Sequence, residues 1–421
     1  MDSNEAIDYR RALEALRNGV PNREAVGLLG CNQHAAEGAF QEMLSGVPAL
    51  MPEGKQAPGI LIAGGFGAGK SHLLDCFEQL ALSQNFVCSR VVVSKETPLF
   101  DAAKMYAAAA DAASVPELRG EALREVAQRL DPKSARYAEF SQWANGTSSR
   151  LNRVFPATVL LYERLGNDPE LVDQIIDFWL GERLSVAPVR RALKQIDSLA
   201  AYSFKAPKIK ELAIQRFHFT SRMITAAGYS GWVLLIDEVE LIGRYSLLQR
   251  GRSYAELARW MGRIKGDVCP GLATVAAITD DFGLAVLQEK SDRDIVGTRL
   301  RAKDTDEYRA IASRAETGMR LLQRDGIDLK APDDATLLRT YHLLKEIHAK
   351  AYDWTPPEIP TAEMSATRRM RSYVRRWINE WDLMRLYPGA EVRLEDEGEL
   401  KPTYEQDEAL EQASESLAEN S

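Results

Sequence analysis

Two rhythms of apolar and polar positions divide the chain. AIDYRRALEALRNG places Ala6, Tyr9, Leu13 and Leu16 at helical spacing before Gly19 and Pro21, which predicts a helix with a defined stop. A second helix is expected over 34–45, after which Pro48, Pro52, Gly54 and Pro58 mark a loop. Short, wholly apolar runs follow. Residues 59–63 (GILIA) and 86–93 (FVCSRVVV) are too short for helices and read as buried strands, with a helix over about 70–83 between them. Strand, loop, helix and strand in succession begin a parallel α/β sheet. Two more apolar runs, GWVLLIDEVE (231–240) and LATVAAITDD (272–281), read as strands that end in polar residues.

Between Lys95 and Gly228 no strand is expected. The stretch is rich in Ala, Leu, Glu and Arg and far too long for a loop, so it reads as a helical insertion between two strands of the sheet. Helical rhythm returns from about Thr305 to Pro388, with a proline-rich break at 355–360. The expected organisation is an N-terminal helical region (1–50), a nucleotide-binding core (51–94 and 229–304), the insertion (95–228), a helical lid (305–388) and an acidic, disordered tail (389–421).

Composition narrows the class. The chain has 421 residues, 45% hydrophobic and 27% charged, which excludes collagen-like, largely disordered and disulfide-scaffold proteins. No apolar run approaches the length of a membrane helix. No export signal opens the sequence. Cys31, Cys76, Cys88 and Cys269 form no CxxC or Cys/His ligand spacing, in keeping with a reducing cytoplasm. The net charge of −8 belongs to the tail: Glu391–Ser421 holds eleven Asp/Glu against two Lys/Arg. The body is near neutral, so its charge neither supports nor excludes nucleic acid as a partner.

The strongest chemical signal is GGFGAGKS (64–71), which fits G-x-x-x-x-G-K-[ST] between a strand and a helix. Glycines let a loop wrap so that successive backbone N–H groups point at phosphate oxygens, and the helix that follows presents its positive end there. Gly64, Gly65, Phe66, Gly67, Ala68, Gly69, Lys70, Ser71 and His72 are therefore the expected ATP-binding residues. Lys70 would neutralise the β- and γ-phosphates, and Ser71 would ligate Mg²⁺. At the end of the 231–240 strand, Asp237 is expected to hold Mg²⁺ and Glu238 to polarise the attacking water. An acid directly after the metal-holding one favours hydrolysis over transfer to a small substrate. Thr279, at the end of the 272–281 strand, is a candidate contact to the γ-phosphate or the lytic water. Trp377, Trp381 and Tyr373 lie at helical spacing and read as core.

The phosphate loop, GYSGWVLLIDEVELI (228–242), DFWLGE (177–182) and RMRSYVRRWINEWDL (369–383) together resemble the BrxD-type ATP-binding proteins of BREX phage-defence systems. The resemblance extends in patches from the N-terminal helices to about residue 388. It implies an α/β fold with a parallel P-loop NTPase sheet of AAA+/STAND-like, Orc/Cdc6-like type, a long helical insertion and a helical lid. It assigns Lys70, Ser71, Asp237 and Glu238 to the nucleotide and Arg371 to a sensor-like position in the lid, although Met370 stands where the family has proline. TDDF (279–282) replaces the family's threonine-rich turn. Arg299, in VGTRLRAK (296–303) with Arg301 beside it, resembles a residue that reaches a neighbouring subunit's γ-phosphate.

The function expected from these readings is an ATPase of a phage-defence complex, with Mg²⁺ as cofactor. Its nucleotide state would switch homo-oligomeric assembly, other defence-system proteins or double-stranded DNA. The basic cluster Arg368–Arg376 is the candidate DNA patch. The alternative is an ATP-binding scaffold with little turnover that recruits partners. A P-loop phosphotransferase fits less well, because no small-substrate motif accompanies the helical segments.

Overall fold

The computed structural model describes residues 3–18, 23–116, 118–119, 121–202, 204, 207–359, 370–388 and 403–407. Seven strands form one sheet: β1 (Ile60–Ala63), β2 (Val87–Val92), β3 (Ala113–Val115), β4 (Leu118–Arg119), β5 (Trp232–Asp237), β6 (Leu272–Ile278) and β7 (Gly326–Asp328). Their order is β4-β3-β2-β5-β6-β1-β7. The pairs β2–β5, β5–β6, β6–β1 and β1–β7 are parallel, and β3 and β4 run antiparallel at one edge. The protein is thus a mixed α/β fold around a mostly parallel sheet.

The continuous apolar runs have a simple cause: the central strands are covered on both faces, so both sets of alternating side chains must be apolar. Ile60, Ile62, Val233, Leu235, Ala273 and Val275 point to one layer. There they meet Phe40, Met43 and Leu44 of the helix His34–Leu50 and Leu73, Leu74 and Phe77 of the helix Lys70–Ser83. Phe40 stacks on Phe77 at 4.1 Å between ring centres. The intervening residues Leu61, Trp232, Leu234, Ile236 and Leu272 enter a larger layer on the other face. That layer takes in the aromatic residues of the 95–228 helices, with Tyr106 and Phe217 against Trp232.

The helix Asp292–Arg301 is pinned by its first residue. Asp292 is fully buried and accepts two hydrogen bonds from Arg250 at 2.7 Å and one from Tyr254 at 2.6 Å. A third cluster joins distant parts of the chain. Leu13 and Leu16 of the helix Ser3–Asn18 pack with Tyr341 and Leu344 of Asp334–Tyr352 and with Trp377 and Trp381 of Met370–Leu386. The aromatic set Tyr373, Trp377 and Trp381 is core, as its spacing predicts.

Three expectations need correction. β3 and β4 lie inside the stretch expected to be free of strands, and β7 lies inside the helical 305–388 segment. All three are two or three residues long, too short to impose a period on the sequence, and they owe their form to backbone pairing with β2, β3 and β1. The tail is not uniformly unstructured: residues 403–407 pack on the body, while residues 389–402 and 408–421 lie outside the described residues. Arg368 and Arg369 of the candidate DNA patch lie outside them too. The four cysteines are free thiols. Among the described residues, no helix is long and apolar enough to cross a membrane.

Candidate functional site

β1 ends at Ala63, and the chain turns at once into the glycine-rich loop. Gly67 (φ 78°) and Gly69 (φ 100°) sit in the left-handed region, where a side chain would be strained. Gly64 has a different reason: a Cβ there would come within 3.1 Å of Leu329, which follows β7. The helix Lys70–Ser83 then starts at Gly69. Lys70 is buried, and its Nζ donates to the carbonyls of Gly64 (2.8 Å) and Gly65 (3.4 Å). His72 Nε2 lies 2.8 Å from the Gly30 carbonyl, tying the loop helix to the connection before His34–Leu50. Burial lowers the pKa of His72, so the neutral ring donates its Nε2–H to that carbonyl.

Beside the loop, β5 delivers three acids. Asp237 Oδ2 accepts from Ser71 Oγ at 3.1 Å and from Arg90 at 2.7 Å, and Oδ1 accepts the Glu238 backbone N–H at 3.0 Å. Arg90, on β2, also binds Asp75 at 2.6 Å. Burial raises Asp75 to about 6 in spite of that partner. Glu238 sits at φ 56°, with an exposed side chain that lines the cavity. Its carboxyl is raised by desolvation and then by the charge of Asp237. Glu240 is different. Its side chain is 13% exposed and 3.9 Å from Lys70 Nζ, and its Oε2 is buried without a partner. Burial pushes its pKa up to about 7 against the pull of Lys70.

Of these groups, Lys70, Ser71, His72, Asp237, Glu238 and Glu240 share one cavity of about 760 Å³. Its floor is Phe66–His72 with Asp237, Glu238 and Glu240. One wall is the 29–36 connection, another the end of β7 and the residues that follow it to Asp333, and the rim carries Arg339 and Arg371. Arg371, distant in sequence, thus lines the same cavity as the phosphate loop; it is exposed, and its guanidinium is 3.5 Å from the Asn18 carbonyl. Gly64 and Gly65 precede the part of the loop that lines the cavity, and Thr279 and Arg299 lie elsewhere. Thr279 is buried and does not line the cavity; its hydroxyl is 2.6 Å from the Tyr404 hydroxyl. Arg299 is exposed on Asp292–Arg301, away from the cavity, and Arg301 pairs with Glu316.

Arg90, Glu240 and Arg339 escaped the sequence reading. Arg90 had a signal: one arginine in the otherwise apolar run FVCSRVVV needs a buried acid as partner. Glu240 had a weaker one, the alternation in DEVE, which a turn after the strand could equally produce.

The chain matches the model of a family described as BREX system ATP-binding protein BrxC/D over residues 7–131 and 210–374. No curated protein and no solved structure matches it. The matched segments take in the phosphate loop, Arg90, the acids after β5, Thr279, Arg299 and Arg371. The chain belongs to the BrxC/BrxD family of BREX system ATP-binding proteins.

Proposed function

We propose that this protein binds Mg·ATP in the cavity above the phosphate loop and hydrolyses it, its nucleotide state switching assembly within a phage-defence system. The observation that carries the proposal is the convergence of Lys70 and Ser71, at the start of the helix after β1, and of Asp237 and Glu238, at the end of β5, on one cavity. The residues fit the metal. A hydroxyl and a carboxylate already 3.1 Å apart form the sparse protein donor set that Mg²⁺ uses when phosphates and waters supply its other ligands.

Strand order supports a P-loop NTPase sheet of the additional-strand kind, since β6 stands between the loop strand β1 and the acid strand β5. Lys70 would trade its loop carbonyls for phosphate oxygens. Glu238, open to the cavity, would hold and polarise water, while Arg371 and Arg339 would meet the phosphates from the rim. The exposure of Arg299 suits a residue that acts on a neighbour's nucleotide, which makes a homo-oligomer the working form. Other defence-system proteins and double-stranded DNA are the partners such a switch would engage. The scaffold reading, ATP binding with little turnover, draws support from one contact: Thr279 is held by Tyr404.

Glu238→Gln decides between the two. It should leave the affinity for a fluorescent ATP analogue unchanged and slow phosphate release by about 100-fold or more, the scale of a positioned general base. Turnover within about twofold of the unaltered protein, on that same scale, would favour the scaffold.

A further inference from the structure

Residues 403–407 return to the body where the turns after β5 and β6 meet. The Tyr404 ring lies edge-on to Phe282, with centres 5.9 Å apart, and above Gly243, where any Cβ would fall 2.7 Å from a ring carbon. Behind Gly243 stands Val286 of the π-helical segment Gly283–Glu289. Lys290 donates to the Tyr404 carbonyl and, at 2.9 Å, to that of Gly243. Three residues on, Asp407 closes a 2.6 Å salt bridge with Arg244, and its N–H donates to the Arg244 carbonyl at 3.1 Å. The glycine, the aromatic wall, the lysine and the arginine thus form a socket that receives a tyrosine and an aspartate in fixed register.

The hydroxyls add a consequence. Tyr404 Oη is 2.7 Å from Asp281 Oδ1 and 2.6 Å from Thr279 Oγ1. A carboxylate only accepts, so the one phenolic proton goes to Asp281. Thr279 must then donate its own proton to Tyr404. Thr279 directly follows Ile278, whose carbonyl accepts the Gly64 N–H of the phosphate loop at 3.1 Å, and while the tail is seated its hydroxyl has no proton left to donate toward that loop.

We infer that the surface formed by Gly243, Arg244, Phe282, Val286 and Lys290 is a peptide-binding socket for a Tyr-x-x-Asp motif, that residues 404–407 of the same chain occupy it, and that this occupancy withholds Thr279 from the nucleotide. The last clause rests on the hydrolytic reading above; the first two do not. The motif lies outside the matched family segments, which end at residue 374.

The test uses the full chain in three forms: unaltered, Tyr404→Phe, and Tyr404→Ala with Asp407→Asn. Amide hydrogen exchange reads docking. The double variant should exchange about tenfold faster over 241–245 and 279–290, while Tyr404→Phe, which keeps the ring, should not. Equal exchange in all three forms would overturn the socket. Protection that grows with protein concentration would assign the occupant to a second copy and overturn the intrachain assignment. ATP turnover reads the consequence. Tyr404→Phe should raise it about fivefold, the factor that one net hydrogen bond carries. Faster exchange with unchanged turnover would overturn the control of Thr279 and leave the socket. Absence of turnover in every form, with the exchange difference intact, would instead refute the hydrolytic reading and the control of Thr279 with it.

Discussion

Glu240→Gln should stabilise the protein, and more so as the pH rises. In the folded chain burial holds the carboxyl near 7, against 4.5 for the free group. A carboxyl raised on folding binds protons more tightly in the native state, so its neutral form favours folding. That advantage is present at low pH and is lost as the pH climbs from about 4.5 through about 7. The full difference is about 3 kcal/mol, of which about 2.5 kcal/mol develops between pH 5 and 8. Lys70 at 3.9 Å is already included in the shift, since it pulls the value down. Glutamine has the shape of the neutral acid and cannot ionise. The measurement is urea unfolding of both proteins, without nucleotide, at several pH values. The stability gap should widen by about 2 to 3 kcal/mol across that range, in favour of the variant. A gap that stays constant, or narrows with rising pH, would show that Glu240 ionises freely and that its burial against the loop is misassigned.

Lys70→Ala removes the buried cation from the loop and should abolish binding of a fluorescent ATP analogue; unchanged affinity would remove the loop from the site. Arg299→Ala and Glu238→Gln should each be nearly inactive alone, yet regain part of the turnover when mixed, because one protomer keeps the arginine and the other the water-holding acid. A single mass for the monomer with ATP bound, together with concentration-independent turnover, would exclude that arrangement. Asp292→Ala leaves the Arg250 guanidinium buried without its carboxylate and should cost about 3 to 5 kcal/mol in urea unfolding. A loss below about 1 kcal/mol, the range of exposed pairs, would mean that water reaches the pair.

What could be read from sequence divides by range. The phosphate loop is a local object, in which glycine conformations, the lysine and the helix start lie within eight residues, so GGFGAGKS announces it. β5 and β6 are equally local, because burial on both faces leaves runs that are apolar except for Asp237 at the end of β5 and Thr274 in β6. Arg90 reaches Asp237 across 147 residues, and only the sheet order makes them neighbours. β3, β4 and β7 carry no rhythm of their own. Tyr404 is a lone tyrosine in an acidic stretch until the turns 239–244 and 279–290 are folded beside each other. Arg371 was legible only through the resemblance to a family; its approach to the loop depends on the packing of three helices from distant parts of the chain.

That packing also orders events during synthesis. Arg10 Nε donates to the Ala351 carbonyl at 2.7 Å across 341 residues, and Leu16, which lines the same cavity as the phosphate loop, belongs to the same cluster as Trp377 and Trp381. A ribosome adding about 5 to 20 residues per second needs roughly 20 to 70 s to cover that interval. Throughout it the apolar face of the first helix has only the short helix Arg23–Leu29 as a native partner, which makes it a natural client for a chaperone. The cavity acquires its Arg371 rim only when the last of these helices has emerged. A nascent chain therefore completes the phosphate loop, whose strand β1 pairs with β6 and β7, before it has a finished pocket, and the cavity closes as one of the last steps of folding.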